Sequence, residues 1–231
     1  MPQGLGRGYL FQGAPMPPEP ASKRGIAFID GQNLFYAARE AFGYTYPNYD
    51  VHALSTAVCR AHGWDLSQCR FYTGIPDPAD NSSWHRFWSA KLAVMGRQGV
   101  EVFTRTLRYR NRRVKLPGGA THTFLDGEEK GIDVRMALDV IRLALRRQYD
   151  VALIFSQDQD LSEAAEEIRA IAAEQGRWIK VASAFPFSPT TRNRRGIDKT
   201  DWVRIERATY EACLDRRDYR PKSLPADGGR P

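Results

Sequence analysis

The chain has 231 residues, a formal net charge of +7 and a pI near 9.4, with 42% hydrophobic and 11% aromatic residues. That allows one domain with tails or two small ones, with enough apolar material for an ordinary core. No apolar run approaches the roughly 20 residues that span a bilayer. There is no apolar signal segment. Cys59, Cys69 and Cys213 lack metal-ligand spacing, which excludes a zinc cluster or disulfide framework and points to a reducing compartment, the cytoplasm.

Residues 1–22, rich in Gly and Pro, read as a flexible leader. Gly25–Asp30 is an apolar run closing on a carboxylate, the pattern of a strand buried on both faces. Gly31-Gln32-Asn33 reads as a tight turn, with Gly31 there for its backbone freedom and Asn33 as a helix cap or ligand-bonding group. A helix follows from Leu34, and another over 50–61 has Val51, Leu54, Val58 and Ala61 on one face. Residues 70–76 read as a second strand. Trp84, Phe87, Trp88, Leu92 and Met95 mark an amphipathic helix whose stripe is core rather than a base-stacking surface.

A third strand, Gly99–Phe103, runs into an alternating basic stretch. Arg105, Arg108, Arg110, Arg112, Arg113 and Lys115 surround Tyr109, and Pro117-Gly118-Gly119 supplies a turn. A guarded sheet edge needs one or two charges; six favour a surface for phosphates. Lys130 opens a helix to about Arg147, with Val134, Ala137, Leu138, Ile141 and Leu145 as its core stripe. Asp133 stands in the first turn near the sheet. Asp139 projects to the far side beside Arg135, Arg142 and Arg146, as a surface ion-pair partner would.

Val151–Phe155 is the most apolar strand and stops at Ser156-Gln157-Asp158-Gln159-Asp160 before another helix. One aspartate there can be an N-cap; two imply a cation site beyond the carboxyl end of a strand. Strands at 178–183 and 202–205 follow, separated by a basic loop with Arg192, Arg194 and Arg195, and 216–231 reads as a mobile tail.

Alternating strands and helices predict a mainly parallel sheet between helices, with Asp30, Asp133, Asp158 and Asp160 gathered along one edge. Crowded carboxylates repel one another, and an all-oxygen set suits Mg²⁺ or Mn²⁺ rather than Zn²⁺.

These motifs resemble the NYN domains, PIN-like nucleases of the LabA-like branch. Phe28–Asn33 is similar to their opening signature, Lys130-Gly131-Ile132-Asp133-Val134 with Ala137 and Asp139 to their central helix, Ser156–Asp160 to their Ser-Gly-Asp-x-Asp strand end, and Gly196-Ile197-Asp198 to a late element. Gln157 and Leu161 depart from the pattern, which has Gly and Phe there. The resemblance covers residues 23–215. It implies a three-layer, Rossmann-like PIN domain, into which the alternating basic stretch and its turn would insert as a β-hairpin, and a metal-dependent endoribonuclease, whose expected substrate is single-stranded RNA. Asp30, Asp133, Asp158 and Asp160 would be catalytic and metal-binding, Asn33 and Ser156 supporting. It also implies products with a 5′-phosphate and a 3′-hydroxyl, no membrane partner, and a place for Asp139 in the motif that helical geometry does not assign. Some relatives are better known as regulators, so an RNA-binding module with little activity is the alternative. A phosphatase using strand-end aspartates is a third, and it has no need of the basic ribbon.

Overall fold

A computed structural model describes residues 17–115, 119, 121–128 and 131–220; the side chains of 108–115 and 121–128 are outside that description. In chain order the elements are β1 (Arg24–Asp30), α1 (Gly31–Phe42), α2 (Val51–Ala61), β2 (Asp65–Ile75), α3 (Ser82–Arg97), β3 (Glu101–Thr106), β4 (Arg108–Lys115), β5 (Thr121–Glu128), α4 (Ile132–Leu145), β6 (Val151–Phe155), α5 (Ser162–Glu174), β7 (Lys180–Pro186), β8 (Asp201–Ile205) and α6 (Arg207–Glu211). Six strands form one all-parallel sheet in the order β3-β2-β1-β6-β7-β8, and β4 and β5 form a separate antiparallel ribbon. The expected α/β architecture with a basic hairpin insertion is therefore present.

The central strands β1 and β6 are apolar without alternation because both faces are covered. One face packs Ala27, Ile29, Leu153 and Phe155 against α1, α2 and α3. The other packs Ile26, Phe28, Ala152 and Ile154 against α4 and α5. Trp84, Phe87, Trp88 and Met95 are buried in the first of these cores, so the aromatic stripe of α3 is structural. All three cysteines are free and buried, and burial pushes the Cys59 and Cys69 thiols up to about 12, far from thiolate reactivity. Among the described residues no helix is long and apolar enough to cross a membrane.

Three local expectations are corrected. There is no separate turn after β1: α1 begins at Gly31, and Asp30 is its N-cap. Gly31 is needed for room rather than for backbone freedom, because a Cβ there would stand 2.4 Å from the Phe71 ring. The phase of α4 also differs. Ile132, Met136, Val140 and Ala144 face the sheet at four-residue spacing, while Val134, Leu138 and Leu145 point outward. Apolar side chains cover so much of this helix's circumference that two stripes compete, and the sequence alone does not choose between them.

Parallel pairing brings the strand ends into line. Ile29 of β1 is level with Phe155 of β6, so Asp30 and Ser156 come next on adjacent strands. Beyond β8 the chain stays attached: Asp215 accepts from Tyr219, whose ring packs edge-on against Phe87.

Candidate active site

Asp30 is buried at the end of β1. Its Oδ1 accepts the Asn33 backbone N–H at 2.9 Å, which caps α1, and its Oδ2 accepts from Ser156 Oγ at 3.4 Å. Ser156 Oγ in turn accepts the Asp158 backbone N–H at 3.1 Å, and Asp158 Oδ1 accepts the Asp160 N–H at 3.1 Å, capping a 3₁₀ turn over Gln159–Leu161. Asn33 does not cap α1; its Oδ1 accepts the Gln157 backbone N–H at 3.0 Å and ties the start of α1 to the end of β6. Asp30, Asn33, Ser156 and Asp158 thus form one connected edge. On the far side of α1, the buried Tyr49 hydroxyl donates to the Gly31 carbonyl at 2.9 Å.

Asp133 comes to this edge from α4. Gly131 turns the chain into the helix with φ of 76°, and Asp133 sits in the first turn, where the helix dipole favours an anion. Its carboxyl is nevertheless held above the ordinary value, first by burial and then by the charges of Asp158 and Asp160. The shift puts the three carboxylates in one electrostatic neighbourhood. Among the described residues none of the three has an ion pair. Among the same residues no three acidic, His or Cys side chains converge closely enough to grip one ion.

Asp139 takes no part. It is buried rather than on the surface, accepting from Tyr72 OH at 3.0 Å and Arg135 Nε at 3.0 Å, with an Arg70 nitrogen at 3.5 Å. The expected pairing with Arg135 exists, but β2 covers it with Arg70 and Tyr72, which neutralise the charge inside the second core.

The basic residues separate. Arg105, near the end of β3, lies over the Phe103 ring and beside Gly131, with its guanidinium carbon 3.7 Å from where a Gly131 Cβ would lie. Arg108, Arg110, Arg112, Arg113 and Lys115 lie on β4, whose pairing with β5 is described but whose side chains are not. In the later loop, Arg194 donates to the Thr191 and Pro189 carbonyls and holds the loop's own shape. Arg195 pairs with Asp198 at 2.8 Å in the open, and the Arg192 backbone N–H donates to Glu40.

Sequence reasoning missed what anchors that loop. Gln157 Nε2 donates to the Asn193 and Arg195 carbonyls at 3.2 and 2.7 Å. Gln159 Nε2 donates to the Gly196 carbonyl at 3.0 Å, and its Oε1 accepts the Asp198 N–H at 3.0 Å. The two glutamines between the aspartates thus fasten Arg192, Arg194 and Arg195 beside the pocket. The one signal was that Gln157 departs from the family's small residue.

A family model for the NYN domain matches residues 26–194, without separating a LabA-like branch. No functionally curated protein matches the chain. Among solved structures, a Vibrio parahaemolyticus protein of unknown function aligns over 81% of this chain and 96% of its own at 20% identity, with a TM-score of 0.48. MurG of Acinetobacter baumannii aligns over 79% of this chain and 45% of its own at 11% identity, with a TM-score of 0.31. At these scores neither likeness carries an argument.

Proposed function

The chain belongs to the NYN family, within the PIN-like nuclease superfamily, and from that premise we propose that its acidic pocket hydrolyses RNA phosphodiester bonds with Mg²⁺ or Mn²⁺. The observation that carries this reading is the raised carboxyl of Asp133, crowded by Asp158 and Asp160 with no cationic partner among the described residues. A dication relieves such crowding. The donors fit: they are all oxygen, and Mg²⁺ is commonly held by one or two carboxylates with water filling the remaining positions. Asp30, Asp158 and Asp160 would supply the ligands, one or two of them directly and the rest through bound water, with Asp133 as a further ligand or as the group that orients water.

A bound ion of this kind lowers the pKa of water and offsets charge on the phosphate. The chain's own residues do the rest. Asn33 N–H and Ser156 Oγ fix the Asp30 carboxylate, and the Ser156 bond to the Asp158 N–H fixes the turn that carries Asp158 and Asp160. Asp133, in the first turn of α4, would accept the proton that the attacking water gives up. Arg105 draws the RNA phosphate to the start of α4. Water adds to phosphorus, the P–O3′ bond breaks, and the products carry a 5′-phosphate and a 3′-hydroxyl. The β4–β5 ribbon, the Arg192–Arg195 loop and the net positive charge hold the strand by its phosphates. Residues 23–215 form the catalytic domain, between a leader at 1–22 and a tail at 216–231, and the cytoplasm is its compartment.

The test is a labelled single-stranded RNA incubated with Mn²⁺, with EDTA, and with Asp30→Asn protein. The expected result is cleavage in the first case only. Cleavage that survives EDTA or the substitution would refute the mechanism. No cleavage of varied RNAs that remain bound would favour a regulatory RNA-binding module.

A further inference from the structure

Helix α4 carries an apolar stripe on its outer side. Val134, Leu138 and Leu145 are 63, 59 and 52% exposed, the highest values for large hydrophobic residues among those described. Ile141 lies half-buried in the same line. Spacings of four, three and four residues put all four on one strip of the helix. A contiguous apolar strip on a water-facing helix marks a contact surface.

The two borders of the strip carry opposite charge. On one side are Arg142 and Arg146, both exposed. That border faces β2 and β3, because Arg135, one heptad before Arg142, stacks over Phe103 and bonds Asp139 beside Arg70. On the other side lies α5, parallel to α4, with Gln175 at its end donating to the Leu145 carbonyl. Glu166 of α5 turns away to pair with Lys199. About a quarter turn further round that helix, toward α4, are Glu167 and Glu174, both exposed. None of Arg142, Arg146, Glu167 and Glu174 has an ion pair among the described residues.

We propose that this face joins two copies of the chain, with their α4 helices side by side and parallel about a two-fold axis running along them. An isologous pair puts the same patch on both sides. A two-fold axis across the helices would oppose arginine to arginine. An axis along them exchanges the borders, so the Arg142 and Arg146 border of each copy faces the Glu167 and Glu174 border of the other, with Glu174 near the level of the arginines because Gln175 is level with Leu145. The 14 residues of α4 extend about 21 Å. With α5 alongside at about 10 Å, the face covers roughly 400 Å² per copy. That is below the standard interface of about 800 Å² per partner, so the association is a weak, transient one. Because Asp133 precedes Val134, both acidic pockets would open at the same end of the pair, near the axis, where one strand reaches both.

The test is sedimentation velocity of the full chain from about 1 to 100 μM. The mass should rise from the monomer's 26.2 kDa toward twice that value. Leu138→Asp, at an exposed position, should raise the dissociation constant at least about tenfold. The doubles Arg142→Glu/Arg146→Glu and Glu167→Arg/Glu174→Arg should each stay monomeric with unchanged circular dichroism, and an equimolar mixture of the two should associate. Leu138→Asp added to both should abolish the mixed pair. A parent that stays at 26.2 kDa overturns the proposal, as does a dimer indifferent to both reversals. Dimerisation only after removal of residues 1–16 also overturns it, because the strip would then be covered by the chain's own leader.

Discussion

Two aspartates six residues apart on α4 stand in opposite circumstances. Asp139 is buried, and two arginines and a tyrosine neutralise it. Asp133 is half-buried beside two further carboxylates, which with burial drive its pKa upward. Buried charge is tolerated when paired and costly when crowded by its own sign. The first arrangement is what a fold builds to hold itself together. The second is what it builds to hold something else, because only a cation from outside relieves it. The same contrast separates the arginines: Arg70 and Arg135 serve the core, whereas Arg105 stands beside Gly131 at the entry to α4.

The largest expected effect separates the clusters by activity. Asp30→Asn and Asp158→Asn should each lower RNA cleavage at least about a thousandfold, on the scale seen when one preorganised electrostatic group is removed. Gel assays check this, and melting temperatures should change little. Asp139→Ala should do the reverse. It removes the acceptor of the buried Tyr72 hydroxyl and one of the two carboxylates that Arg70 pairs with, the other being Glu101, so urea unfolding should show a loss of about 2 kcal/mol while cleavage per folded molecule stays near the parent's. A loss under about 1 kcal/mol would mean the Asp139 cluster is not structural.

The sequence made the strand-end aspartates legible, because a buried parallel strand is an unbroken apolar run and its end is abrupt. Asp30, Asp158 and Asp160 were readable for that reason, and Asp133 as an acidic residue in the first turn of the helix before β6. Asp139 was not: a helical projection places it away from an assumed core stripe, and only the position of β2 shows which face is covered. The same ambiguity turned Val134, Leu138 and Leu145 from expected core into surface. Asn33 was readable as important but not in its role, since an asparagine that caps and one that bridges to Gln157 look alike in one dimension. Gln157 and Gln159 were unreadable, because their partners are backbone groups 36–39 residues away along the chain.

Lys91 sharpens the comparison from the cationic side. It is fully buried, donates to the Tyr49 carbonyl at 2.7 Å and lies 3.5 Å from Asp215. Burial lowers its pKa to about 8, only partly offset by Asp215. The unfolded chain therefore binds more protons than the folded one above pH 8, so stability should rise between pH 8 and 10. Lys91→Met should remove that rise, measured by urea unfolding across the window. A rise that persists would mean another group causes it.

A smaller effect is expected at Asp133. Its raised carboxyl makes the charged form costly in the folded state, a penalty that is fully present above the folded pKa and fades as pH falls through it. At pH 7 without metal, Asp133→Asn should raise the melting temperature slightly, and acidification should narrow the difference from the parent. A variant that melts lower than the parent would mean Asp133 is held by a partner and not crowded.

The most direct measurement is a calorimetric titration of Mn²⁺ into the parent, Asp158→Asn and Asp139→Asn proteins. The parent and Asp139→Asn should bind the ion alike, and Asp158→Asn should lose at least about tenfold in affinity, since a ligating carboxylate is removed in one case and a structural one in the other. Undiminished binding in Asp158→Asn, or equal loss in both variants, would contradict the assignment of the strand-end carboxylates as the metal site.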